Sequence, residues 1–169
     1  MGLGEKGILN IPVDAEYRMR HDLLEEKYHE AIDEGKRVVA LTASSCSTAT
    51  GSYDNLEKIG EFCRKYNIWF HIDGAHGGAA ILSDTYRHLL KGSELADSIV
   101  IDFHKMLMTP GLNTLILFKD GRKSWSTFAQ KASYLLNENE EQDWYNFAKR
   151  TKCLYTAASW RKSFIRRKY

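Results

Sequence analysis

Three short apolar runs recur along the chain at intervals too long for hairpins: Val38-Val-Ala-Leu-Thr42, Ile68-Trp-Phe-His-Ile-Asp73 and Ser98-Ile-Val-Ile-Asp102. Continuous apolar runs of this length suit strands covered on both faces. Between the first two, Leu56, Ile59, Phe62, Cys63 and Tyr66 fall at helical spacing, with Asp54 and Glu57 as a capping-box pair ahead of them. Strand, helix and strand with no room for a hairpin make a right-handed βαβ unit and hence a parallel sheet. The second crossover predicts another helix, capped by Ser83, running through Leu90 and stopped by Gly92. Upstream, Leu23, Leu24, Tyr28, Ala31 and Ile32 share one face of a helix over residues 22–34, which Gly35 ends. Downstream, Thr114-Leu-Ile-Leu-Phe118 reads as one more strand, closed by a tight turn at Asp120-Gly121. Residues 125–148 hold aromatics and then the acidic stretch Asn137 to Asp143, which opens a further helix. The expected fold class is α/β, a central, mostly parallel sheet flanked by helices.

In open parallel sheets ligands bind beyond the carboxyl ends of the strands. Thr48, Asp73 and Lys105 all fall there. Lys105 follows Ile99-Val-Ile101 and precedes Met106-Leu-Met108. An ammonium beside apolar side chains has its charged form disfavoured and becomes a nucleophile near neutral pH. A lysine and an aspartate at the ends of neighbouring strands are what pyridoxal phosphate chemistry requires: the amine forms a Schiff base with the aldehyde, and the carboxylate keeps the pyridine nitrogen protonated. Taken singly, Lys105 reads as a solvated surface group, Asp73 as a strand-end cap and Thr48 as a turn hydroxyl. His71, Asp73 and His76 invite comparison with a metal triad, but His76 lies past a glycine-rich turn and no supporting carboxylate is evident, so no metal is expected.

Five blocks extend the pattern: Ser47-Thr48 followed by Gly51-Ser-Tyr-Asp54; His71-Ile-Asp73-Gly-Ala75-His-Gly-Gly78; Tyr86-Arg-His88; Ala96-Asp97-Ser98; and His104-Lys105-Met-Leu. With them the segment from about Val38 to Leu136 resembles the group II pyridoxal phosphate-dependent amino acid decarboxylases, which include the glutamate, aromatic amino acid and 2,4-diaminobutyrate decarboxylases. Gly4-Glu-Lys-Gly and Val13-Asp fit the approach to the preceding strand of that family. The resemblance implies the large domain of the fold type I, aspartate aminotransferase-like transferases, and decarboxylation of an L-amino acid to an amine and CO2. It implies Lys105 as the covalent anchor, Asp73 as partner of the ring nitrogen, Ala75 packed on one ring face, Thr48 close to the cofactor, and His104 near the phosphate and the reacting centre. Asp102 departs from the pattern, where asparagine or serine is frequent: a carboxylate facing the phosphate would repel it, so Asp102 either points away or lowers cofactor affinity. Cys46 stands where glycine is frequent and reads as a buried, inert thiol.

Family members also carry a ring-stacking aromatic or histidine, a phosphate loop, an arginine for the substrate carboxylate and a mobile catalytic loop. None of these is found in the 169 residues. The expectation is therefore a truncated form, with residues 1–148 as a partial cofactor-binding large domain and 149–169 as a basic tail outside the family pattern. Family members are dimers, which implies a homodimer. Thr109-Pro-Gly-Leu-Asn-Thr114 and Phe128 to Tyr134 lean toward diaminobutyrate-like or glutamate-like members.

Composition narrows the remaining classes. A chain with 43% hydrophobic and 12% aromatic residues can build a core. Cys46, Cys63 and Cys153 form no CxxC pair and no disulfide framework, and with no signal peptide after Met1 this predicts a reduced, cytosolic protein. No apolar run approaches the ~20 residues of a membrane span. Net charge is +2, yet residues 149–169 carry eight Lys or Arg and no acid, leaving −6 on the rest. That asymmetry admits nucleic-acid binding through the tail as an alternative, beside a non-catalytic remnant of the enzyme.

Overall fold

In the computed structural model residues 4–123 are described. The chain divides into two compact units, Met1–Ile116 and Leu117–Tyr169. The helix expected within 125–148, the basic tail and Cys153 lie outside the described residues.

The elements are α1 (Leu24–Asp33), β1 (Ala40–Ser44), α2 (Leu56–Lys65), β2 (Trp69–Asp73), β3 (Ser98–Asp102) and β4 (Thr114–Phe118). The strands form one sheet in the order β1-β2-β3-β4. β1 pairs parallel with β2, placing Thr42 beside His71 and Ser44 beside Asp73. β2 pairs parallel with β3, placing His71 beside Ser98 and Asp73 beside Val100. The α/β class expected from the spacing of the apolar runs is the class observed.

The core lies between the sheet and α2. Leu56, Ile59, Phe62 and Cys63 on α2 are buried, as are Phe70 and Ile72 on β2 and Ile99 and Ile101 on β3. Alternation along β2 sends Phe70 and Ile72 into this core and Trp69, His71 and Asp73 to the other face. The Ala96-Asp97-Ser98 block sets the pairing of β2 with β3. Phe70 N–H donates to the Asp97 carboxylate at 2.9 Å, Asp97 N–H donates to Phe70 C=O at 2.8 Å, and Ser98 Oγ lies 3.0 Å from Trp69 Nε1 and 2.8 Å from His71 Nδ1. Burial keeps the half-buried His71 below the ordinary imidazole range, against the opposing pull of Asp73.

Three expectations are corrected. β1 begins at Ala40 and only its Ala43 is fully buried; among the described residues its one sheet neighbour is β2, and Val39 just before it is 62% exposed. The second crossover is three short 3₁₀ turns, Gly78–Leu82, Arg87–Leu90 and Ser93–Leu95, in place of one helix. Ser83 ends the first of these and its hydroxyl accepts from Tyr86 N–H. Gly92 does break the run: its φ is +94°, and a Cβ there would lie 2.3 Å from Glu57 N. Finally, Asn55 caps α2 by accepting from Lys58 N–H.

Asp54, the expected cap, is occupied elsewhere. Its carboxylate accepts from Met19 N–H at 2.6 Å and from Ser44 N–H at 2.7 Å, at 8% exposure. It thereby fastens a hairpin-like turn, bridged between Val13 and Met19, to the end of β1. Ser52 Oγ adds a second tether by donating to Tyr17 C=O. Asp54→Ala leaves two backbone donors in a poorly hydrated place, and a lost partner of this kind costs about 1–3 kcal/mol for each group. Urea denaturation should show a lower midpoint at unchanged slope, a loss of roughly 2–6 kcal/mol of stability.

Candidate active site

The carboxyl ends of the strands open onto a cavity of about 430 Å³, within the range of small-molecule sites. β1 contributes Thr42 and Ser44, and the loop after it Cys46, Ser47 and Thr48; β2 and its following turn contribute Asp73, Ala75 and His76. Lys105 enters from the turn after β3. Four of the six residues singled out from sequence, Thr48, Asp73, Ala75 and Lys105, thus line one cavity. His104 and Asp102 are not among its lining residues.

Parallel pairing explains the convergence. Asp73 is the last residue of β2 and Lys105 lies three residues past the end of β3, so neighbouring strands deliver a carboxylate and an amine to the same edge. The turn after Asp73 is shaped by its own carboxylate, which accepts from Ala75 N–H at 3.1 Å. It is also tightly packed: a Cβ on Gly77 would lie 2.5 Å from Tyr53 Oη and 2.6 Å from Cys46 N. Tyr53 donates to Gly77 C=O, and burial first, then Cys46, pushes its phenol up to about 12.

The apolar setting expected for Lys105 is corrected. Its side chain is about one third exposed, and Met106 and Met108 beside it are 47% and 89% exposed. The turn here runs along the surface, so the methionines cannot desolvate the amine. Instead Lys105 Nζ makes an ion pair with Asp102 Oδ2 at 2.8 Å. Asp102 also accepts from Thr114 Oγ1 at 2.5 Å. The hydrogen bond from Lys105, then that from Thr114, holds its carboxyl below the usual carboxylate range against desolvation. His104 Nδ1 accepts from Asn113 N–H at 3.1 Å, and its Nε2 lies 3.9 Å from Asp102. His104 therefore ties the Lys105 turn to the approach of β4.

Residues not assigned to the site from sequence complete the cavity. Ile11, Val13, Tyr17 and Met19 supply a wall from the N-terminal turn, and Asp54 and His76 face it as well. The alternation of Ile11 and Val13 and the Asp14-to-Arg18 turn were legible, but their approach to β1 depends on Asp54 reaching across 35 residues. Among the described residues no group of three or more His, Cys, Asp or Glu is arranged to hold a metal ion, and no helix is long and apolar enough to cross a membrane.

Comparison with known proteins bears on the same segment. The sequence model of the pyridoxal-dependent decarboxylase conserved domain matches residues 3–161. The chain is 38% identical over 142 residues to the L-2,4-diaminobutyrate decarboxylase of Acinetobacter baumannii, covering 84% of this chain and 28% of that protein. It is 37% identical over 139 residues to a glutamate decarboxylase-like protein of Gibberella zeae, covering 82% and 27%. The crystal structure of Oryza sativa TDC with PLP and tryptamine superposes with a TM-score of 0.75 at 27% identity, over 80% of this chain and 28% of that one. The chain spans just over a quarter of the length of these relatives.

Proposed function

The chain belongs to the pyridoxal-dependent decarboxylases, and from that premise we propose that its cavity is the cofactor end of a site that converts an L-amino acid to an amine and CO2. The observation that carries this reading is the meeting of Lys105 and Asp73 in one cavity. The donor set fits the group: an amine for an aldehyde, a carboxylate for a protonated pyridine nitrogen, the small Ala75 for a flat ring, and Thr48 for a polar edge. The chemistry that pyridoxal phosphate supplies when bound is an electron-accepting ring, which takes up the electron pair released as the carboxylate bond breaks.

The roles of this chain's residues follow. Lys105 would hold the aldehyde carbon covalently and would supply a base and acid for proton transfer at the reacting carbon. Asp73 holds the proton on the ring nitrogen. Ala75 leaves room for the ring face, and Thr48 orients it through its hydroxyl. His104 acts from outside the cavity, fixing the Lys105 turn through Asn113. Among the described residues no arginine lines the cavity, so we assign the grip on the substrate carboxylate to groups beyond it, including those of a second subunit in a homodimer. Cys46 and Cys63 are free and buried, and burial pushes the Cys63 thiol up to about 12, which suits a reduced, cytosolic setting.

The full chain mixed with pyridoxal phosphate should develop a visible absorption band, and borohydride reduction should place the pyridoxyl group on the peptide containing Lys105. A label spread evenly over the surface lysines would sink the reading. Because no arginine lines the cavity among the described residues, the chain should capture cofactor without measurable CO2 release from glutamate, aspartate, diaminobutyrate or aromatic amino acids. Turnover of any of these would show that the carboxylate grip lies within the chain.

A further inference from the structure

We infer that Asp102 is a positioning residue that latches Lys105 and limits how readily its amine reacts with an aldehyde. This deepens the proposed function and rests on Lys105 being the anchor. Two accounts of a carboxylate at this place make different demands. In the first it faces the cofactor phosphate and repels it. In the second it acts on the lysine. The geometry favours the second. Asp102 is not among the residues lining the cavity, whereas Lys105 is. One carboxylate oxygen pairs with Lys105 Nζ at 2.8 Å and the other accepts from Thr114 Oγ1 at 2.5 Å. The carboxylate, its side chain 13% exposed, is held by Thr114 with His104 Nε2 3.9 Å away, while the lysine is the more exposed partner at 35%.

The consequence is kinetic and thermodynamic. For the amine to attack an aldehyde carbon, Nζ must leave Asp102 and give up a proton to solvent. A carbon–nitrogen bond then forms and the carbonyl oxygen departs as water. Breaking the pair leaves Asp102 with the Thr114 hydroxyl and no cation, a modest loss for an ion pair at the surface. A neutral amide at the same position would still accept from Thr114 but would hold Lys105 far less tightly.

The test compares the full chain with Asp102→Asn and Asp102→Ser. Each is treated with pyridoxal phosphate or with pyridoxal, which lacks the phosphate, then reduced with borohydride, and the labelled peptides are quantified. Lys58, whose Nζ pairs with Glu61 at 2.9 Å, serves as a reference within each sample. Both variants should label Lys105 about fivefold faster relative to Lys58, an effect of the size expected for a partly exposed ion pair, and should do so with both aldehydes. With pyridoxal, which carries no phosphate charge, raising salt to about 1 M should speed Lys105 labelling in the parent and leave the variants unchanged, since only the Lys105–Asp102 pair is screened.

Unchanged Lys105 labelling in both variants would overturn the latch. So would a gain confined to pyridoxal phosphate, which would assign Asp102 to phosphate repulsion. If Lys105 labels no better than Lys58 in any sample, the anchor assignment itself falls and the latch with it.

Discussion

Lys105→Ala should abolish covalent capture of pyridoxal phosphate in the cavity, leaving only the background labelling of surface lysines such as Lys58. Borohydride treatment should leave no pyridoxyl group at position 105 and no labelling above that of surface lysines such as Lys58 and Lys119, and unreduced cofactor should wash away on dialysis. The expected effect is total because no other lysine lines the cavity among the described residues. In any form of the protein that releases CO2, turnover should fall to background, since the variant loses both the covalent anchor and the proton-transfer group; positioned proton transfer alone is commonly worth about 10²–10⁴-fold. The fold should survive, because Lys105 is exposed and its partner Asp102 keeps the Thr114 hydrogen bond. Circular dichroism matching the parent, together with a lost absorption band, is the expected pair of readings. A Lys105→Ala protein that still forms a borohydride-stable adduct at another cavity position would refute the assignment.

Asp73→Asn should leave capture intact and remove the electron-accepting power of the ring. An amide cannot hold a proton on the pyridine nitrogen by charge, so turnover should drop by about 10²–10⁴-fold, the range for a lost proton-holding partner. The substitution is nearly isosteric. The side-chain carbonyl can still accept from Ala75 N–H, which preserves the turn, and the backbone C=O of residue 73 still accepts from Ser45 N–H at 2.7 Å. The separation of effects is the informative part: Lys105 labelling retained, turnover lost, and the absorption of the bound cofactor made more sensitive to pH. Turnover close to that of the parent would remove the ring-nitrogen role from Asp73.

Much of this protein was legible in its sequence, for physical reasons that can be named. The intervals between the apolar runs exclude hairpins, so a parallel sheet follows, and parallel strands carry their last residues to one edge. Asp73 and Lys105 could therefore be placed together before any coordinates were known. The α2 stripe of Leu56, Ile59, Phe62 and Cys63 was equally plain, because helical periodicity is a local property. The Gly92 break was also read correctly: a left-handed residue is an intrinsic preference of glycine.

What the sequence left open were competitions between partners distant along the chain. Asp54 has the side chain of a helix cap, and Asn55 beside it has one as well. Only the approach of Met19 and Ser44 decided that Asp54 would bridge two segments and leave the cap to Asn55. The segment from Ser83 to Leu90 reads as a helix by pattern, yet it holds a single 3₁₀ turn, Arg87–Leu90, since its ends are set by the sheet and by the contact of Gly92 with α2. Lys105 shows the same division most sharply. Its neighbours in sequence are apolar and predicted a desolvated amine, but its neighbours in space are Asp102 and open surface. Sequence placed the amine at the strand end, because strand direction is fixed by local pattern; the tertiary structure alone decided which charge it meets there, because that charge depends on how the turn after β3 folds back on itself.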